Sequence, residues 1–167
     1  MEIQWYKVKN LPLKKFRDAP NLSGVYFVRW LKNEKPVSIP RLRGVDHKGI
    51  LYIGSAKNLK RRIRELWNGI NFKVEAHTIG KTIIFCKIFE IIDLDEYEIA
   101  WEELGTHEEA VRQEWAAIRT YATKYREPPP LNLSVRRKLY AIGGIVKTWT
   151  NRIASKPDEF VRLVINS

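Results

Sequence analysis

Cysteine is nearly absent: Cys86 is the single copy among 167 residues, which excludes an internal disulfide and a cysteine-rich metal site. Because it lies in the apolar run Ile83 to Ile92, it is expected to be a buried, inert thiol. No apolar run approaches the roughly 20 residues needed to cross a bilayer, and no signal-peptide pattern opens the chain. An intracellular protein, cytoplasmic or nucleoid-associated and without a membrane partner, is therefore expected. Acidic residues are also scarce, 19 Asp and Glu against 30 Lys and Arg, for a formal net charge of +11. That surplus attracts polyanions, a phosphate backbone first. No long polar low-complexity tract occurs and hydrophobic residues make up 44%, so the chain should fold rather than stay disordered. Its length suits one core rather than two.

Along the chain, Ser23 to Leu31 (SGVYFVRWL) is rich in Val, Phe, Tyr and Trp and predicts a strand. A stretch with two prolines, a glycine and several basic residues follows, at about 32–48, closed by Gly49 before the apolar segment Ile50 to Ile53. This predicts a long-looped hairpin whose loop is either solvated or touches nucleic acid through Lys35, Arg41, Arg43 and His47. From Asn58 to about Trp67, apolar residues at i, i+4, i+7 and i+8 (Leu59, Ile63, Leu66, Trp67) predict a helix stopped by Gly69. Lys81 to Ile92 (KTIIFCKIFEII) is β-branched and partly alternating and predicts a buried third strand. Asp93 to Gly105 fits either a short acidic helix or a loop. Thr106 with Glu109 resembles a capping box, and Val111, Trp115, Ile118 and Ala122 continue at helical spacing. Prolines 128, 129 and 130 end that helix. Most of the six tryptophans and seven tyrosines are expected in the core, with Trp67, Trp115 and Tyr26 on or beside apolar stripes; Trp149 is the one most readily exposed.

Gly24-Val25-Tyr26 falls on the first strand and Tyr52-Ile53-Gly54 on its hairpin partner. Arg62 follows ten positions after Tyr52 on the first helix, Glu114 stands on the next helix, and Asn132 follows the prolines. At 100° per residue the first stripe centres near Ile63, which puts Arg61 on the far side and Arg62 at the border of the core. Glu114 borders the second stripe, while Glu109 and Arg112 point elsewhere.

These residues resemble the GIY-YIG nuclease family. GVY stands for GIY, YIG is present as written, and YIGSAKNLKRRI at Tyr52 to Ile63 resembles the second motif and the arginine helix. EWAAIRTY at Glu114 to Tyr121 resembles the glutamate helix, and PPLN at Pro129 to Asn132 the closing proline and asparagine. The resemblance spans Gly24 to Asn132. It implies an α+β fold: a small central three-stranded, mainly antiparallel sheet flanked by helices, as a nuclease domain at 1–135 with a C-terminal helical extension at 136–167 packed on it. Three departures stand out. The hairpin loop is longer than usual, the connection from Glu114 to Asn132 is extended, and Leu66 occupies a position where some members carry histidine or tyrosine.

The resemblance implies a metal-dependent DNA endonuclease with a catalytic set of Tyr26, Tyr52, Arg62, Glu114 and Asn132 and the motif glycines Gly24 and Gly54. Glu114 would bind one divalent ion. Magnesium suits one carboxylate with several waters, and manganese could substitute. Arg62 would clamp the phosphate, and either tyrosine could serve as the base. An unperturbed phenol of pKa about 10 is only about 0.1% ionised at pH 7, so the metal or a basic neighbour, Lys57 or Arg62, would have to lower it. Asn132 would tie the closing loop through backbone hydrogen bonds. Lys57, Lys60, Arg61 and Arg64, with Arg41, Arg43, Arg136, Arg137 and Lys138, would grip DNA phosphates. The enlarged loop, Leu66 and the charge also motivate an alternative: a catalytically inactive nucleic-acid-binding module, or a repair-complex component docking through Ile142 to Ile153. Strand number, target and oligomeric state are not encoded in these motifs.

Overall fold

Every residue from Val25 to Val28 is buried, and the reason is the layering of the molecule. In a computed structural model, which describes residues 3–14, 16–71, 78–133 and 156–166, the strand carrying them is covered on both faces. Ten strand residues, Ser23–Lys32 (β2), follow a two-residue strand Tyr6–Lys7 (β1). Three short strands come next, Lys35–Pro36 (β3), Ile39–Pro40 (β4) and Val45–Asp46 (β5), and then Ile50–Ala56 (β6) and Tyr97–Leu104 (β7). The helices are Leu59–Asn71 (α1), Thr78–Phe85 (α2), His107–Tyr125 (α3) and Glu159–Asn166 (α4).

Three long strands in the order β6-β2-β7 form the heart of the sheet, and all their pairings are antiparallel. β1 extends it beside β7 and β3 adds a short pairing at the end of β2. Side chains of a strand alternate between faces, so Tyr26 and Val28 join one core cluster with Leu59, Ile63, Leu66, Ile79 and Ile83 of α1 and α2. Val25 and Phe27 join the other, with Ala117, Ile118 and Tyr121 of α3 and Phe160, Val161, Val164 and Ile165 of α4. The expected α+β architecture, a small antiparallel sheet between helices, is present.

The third strand is not where the sequence suggested. Residues 81–92 lie in α2 and a following 3-10 turn at Ile88–Glu90, and the strand is β7. Ile79, Thr82 and Ile83 are buried, and their spacing of three and four is helical, which overrode the β-branched composition. β7 was masked by its glutamates. Glu98 is buried because both Nε and Nη2 of Arg29 donate to its Oε2, at 2.8 and 2.6 Å. Cys86 is exposed rather than buried, because it falls just past the end of α2 on the side away from the core. α1 also continues through Gly69 to Asn71 instead of stopping.

Glu102 of β7 holds α4. Among the described residues, Glu102 Oε2 and Asp158 Oδ2 are sealed from solvent without a protein donor, yet the two carboxyl groups lie within hydrogen-bonding reach of each other. Two acceptors can bond only if they share a proton. Burial first, then the hydrogen bond and charge of Asp158, push the Glu102 carboxyl up to about 8. Asp158 also accepts from Val161 N at 2.9 Å, starting α4. A carboxyl group whose folded pKa exceeds its unfolded value stabilises most below the unfolded value, and that contribution fades as pH rises through the folded one. Melting temperature should therefore fall by a few degrees between about pH 5 and pH 8, and Glu102→Gln, whose amide donates at every pH, should flatten this slope. An unchanged slope in the variant's thermal melts would contradict the shared proton.

Candidate active site

The site forms where β6 runs into α1 and α3. Register puts Tyr26 opposite Gly54 and Tyr52 opposite Val28, so both tyrosines point to the α1 face. Their ring centroids are 5.9 Å apart. Gly54 makes this possible: a Cβ there would lie 2.7 Å from Tyr26 Cζ and Oη and from Tyr52 Cε1. Gly24 is equally confined, since a Cβ would meet Glu102 O at 2.1 Å and Leu59 Cδ1 at 2.5 Å. Gly54→Ala should displace both phenols and lower single-turnover cleavage by about a hundredfold, the cost of misplacing reacting groups by about 1 Å. Circular dichroism alongside the rate measurement should find the fold intact; an unimpaired rate would show that phenol placement is unimportant.

Neither phenol ionises readily. Burial above all, then the charge of Tyr52, pushes Tyr26 well above the usual tyrosine range, with Arg62 opposing and Glu114 adding to the shift. Burial and then Glu114 push Tyr52 up to about 12, while the hydrogen bond from Tyr26 and the charge of Arg62 oppose. The shared hydrogen bond therefore makes Tyr52 the more acidic partner, and Arg62 lowers both. Lys57 is exposed, and Ser23 Oγ donates to its backbone carbonyl at 3.1 Å.

Arg62 stands at the border of the α1 stripe, its side chain 30% exposed against 61% for Arg61. Both arginines pair with Glu65, Arg62 at 3.3 Å and Arg61 at 3.6 Å. Asn58 starts the helix by accepting from Arg61 N at 2.8 Å, and the buried Leu59, Ile63 and Leu66 fix its rotation. Leu66 is wholly core. On the opposite face, half-buried Glu114 accepts a short hydrogen bond from Ser55 Oγ at 2.5 Å. Ser55 pairs with Val25, so it faces α3, and the sequence reading missed it; its place next to Gly54 was the available signal. The charge of Glu114 still reaches both phenols, so the constellation straddles the edge of β6.

That edge is closed by the chain after the prolines. Asn132, buried, accepts from Ile53 N at 3.0 Å and donates through Nδ2 to Ile53 O at 2.8 Å. Leu131 N donates to Leu51 O at 2.9 Å. Of the five residues in the catalytic set, Asn132 bonds backbone with its side chain, tying the closing loop to β6 through both polar groups of Ile53. Asn132→Ala strands two buried backbone groups and should cost about 2 to 4 kcal/mol, read as a lower denaturant midpoint; a stability within about 0.5 kcal/mol of wild type would refute the clasp.

The basic candidates divide. Lys57, Arg61 and Arg64 are exposed and Lys60 half-buried on or beside α1. Arg43 is exposed, but Arg41 is not available to a ligand: its side chain is 5% exposed, pairs with Glu127 at 3.0 Å and donates to Pro128 O at 2.6 Å. A partner 86 positions away was invisible in the sequence. Lys35 is exposed and His47 bonds Ser38 at 2.9 Å. Arg136, Arg137, Lys138, Trp149 and the Ile142 to Ile153 segment lie outside the described residues. No described helix is long and apolar enough to cross a membrane.

The model of the GIY-YIG catalytic domain matches residues 23–126, well over half of the chain. The protein belongs to the GIY-YIG family. Membership implies nuclease activity and a nucleic-acid substrate. Among solved structures, the chain is similar to the GIY-YIG N-terminal endonuclease domain of UvrC from Thermotoga maritima, a crystal structure bound to its catalytic divalent cation, magnesium, at 24% identity and a TM-score of 0.37, covering 78% of this chain and 98% of that one. No curated protein matches. The GIY-YIG motifs of this chain thus coincide with the convergence of Tyr26, Tyr52, Arg62 and Glu114 around β6.

Proposed function

We propose that this GIY-YIG protein is a metal-dependent DNA endonuclease, with residues 1–135 as the nuclease unit and 136–167 as an extension of it. The observation that carries the reading is the meeting of two phenols, one guanidinium and one carboxylate at the edge of β6. Hydrolysing a phosphodiester requires an activated water, compensation of the charge growing on phosphoryl oxygens and stabilisation of the leaving oxygen. The donor set fits a hydrated divalent ion. Among the described residues no three His, Cys, Asp or Glu cluster together, and one half-buried carboxylate held by Ser55 suits magnesium, which keeps several waters, with manganese as the substitute. A bound ion there supplies positive charge at the phosphate and acidifies water.

The protein's own groups do the remaining work. Arg62 donates paired N–H groups to the scissile phosphate and stays charged at any working pH; Glu65 keeps it aimed meanwhile. Tyr26 donates a hydrogen bond to the Tyr52 oxygen, which favours the ionised form of Tyr52 and leaves that oxygen's remaining lone pair to accept from and orient the attacking water. Ser55 donates to one Glu114 oxygen, which fixes the carboxylate and leaves its other lone pairs for the ion. The exposed face of α1, Lys57, Lys60, Arg61 and Arg64, grips backbone phosphates, and Arg136, Arg137 and Lys138 add to that grip.

The test is incubation of the full chain with end-labelled duplex, single-stranded and branched DNA in magnesium, manganese or EDTA. New ends in either metal and none in EDTA are expected. Binding without cleavage across all substrates, metals and pH values would instead establish an inactive binding module, the reading that Leu66 and the enlarged insertion favour.

A further inference from the structure

The insertion between β2 and β6 is docked on α3. Its β4 and β5 pair as a small hairpin, Ile39 with Asp46 and Pro40 with Val45. One leg is held by the Arg41–Glu127 ion pair, by Leu42 N donating to Glu127 Oε1 at 2.9 Å, and by Arg43 N donating to Tyr125 O at 3.1 Å. The other leg is held by buried Asp46, which accepts from Lys48 N, Ile50 N and Tyr121 Oη at 2.8, 2.9 and 2.9 Å. Against this fixed backbone, Leu42 is 79% exposed at the tip. Arg43 beside it is exposed too. Arg126 is exposed directly after Tyr125, at a left-handed helix end with φ of 64°. Glycine is the ordinary residue there, so an arginine keeps a charge next to Arg43 at the cost of an unfavoured backbone.

We propose that Leu42, Arg43 and Arg126 form a second contact for duplex DNA, held at a fixed distance from Glu114. Glu114 and Tyr121 are seven residues apart on α3 and so share one face; one bonds Ser55 near the end of β6 and the other bonds Asp46 before its start. Site and hairpin therefore lie along the same α3–β6 seam. The eleven helical steps from Glu114 to Tyr125 rise about 16 Å, the length of about five base pairs along the duplex axis. The two arginines meet backbone phosphates, and Leu42 lies in the minor groove, where apolar side chains wedge against base steps. The choice of DNA as the polymer rests on the proposed function, but the contact is separable from catalysis.

The experiment is fluorescence anisotropy in EDTA with a hairpin-capped duplex of about 4 base pairs, shorter than the proposed span, and a duplex of about 20 base pairs, so an inactive enzyme leaves the readout intact. Wild type should bind the longer duplex more tightly. Arg43→Ala with Arg126→Ala should remove about tenfold of that extra affinity and lower the salt slope by about two. Leu42→Ser should weaken the longer duplex severalfold without changing the slope, and Arg43→Lys with Arg126→Lys should restore most of the charge-dependent affinity. Three results would overturn the proposal: wild-type affinity in both the double alanine and Leu42 variants, a loss as large on the short duplex or on single strands as on the long duplex, or a loss that the lysines do not restore.

Discussion

Arg62→Ala is expected to slow single-turnover cleavage by about a thousandfold, with Arg62→Lys recovering at most about tenfold of it. The size follows from what the side chain does. A fixed donor aimed at developing phosphoryl charge is worth about 3 to 4 kcal/mol in a site shielded from water, and Arg62 is held by the rotation of α1 and by Glu65 at 3.3 Å. A lysine offers a point charge without the paired donors, and its flexible stem would swing toward Glu65. Arg61 makes the internal control. It is twice as exposed and pairs with the same glutamate, so Arg61→Ala should weaken DNA binding modestly. Equal losses of rate in the two alanine variants would show that the helix contributes charge rather than a clamp.

Glu114→Ala should have the larger effect, at least about a thousandfold on cleavage, while DNA binding in EDTA stays close to wild type. Ser55 is then left without its carboxylate partner, and the charge that raises both phenols disappears. Glu114→Asp should be almost as impaired, because shortening the side chain breaks the 2.5 Å bond to Ser55. Metal binding measured by calorimetry should fall in parallel with the rate. A variant that keeps wild-type cleavage in magnesium would remove Glu114 from the mechanism.

Periodicity made β2, β6, α1 and α3 legible, and with them the constellation. Leu59, Ile63 and Leu66 fixed the rotation of α1 closely enough to separate Arg62 from Arg61, and the structure keeps that order of exposure. β7 was hidden for a physical reason: a strand buried on both faces is expected to be apolar, but here Glu98 and Glu102 are neutralised by Arg29 and by a proton shared with Asp158. Both partners are remote in sequence. The same applies to Arg41, whose ion pair with Glu127 turned an expected DNA contact into an anchor, and to the insertion, which composition described as a loop and tertiary contacts made into a platform. α2 failed for a different reason. Eight residues, six of them β-branched or aromatic, carry too little pattern for period to outweigh composition.

The most direct measurement is conversion of supercoiled plasmid by the full chain, followed over time in magnesium and in EDTA, with Glu114→Ala run alongside. Relaxed or linear plasmid should accumulate with wild-type protein in magnesium, while EDTA and the variant leave it supercoiled. Supercoiled plasmid unchanged by wild type in magnesium and manganese, or cut equally well in EDTA, would contradict a metal-dependent nuclease built on Glu114.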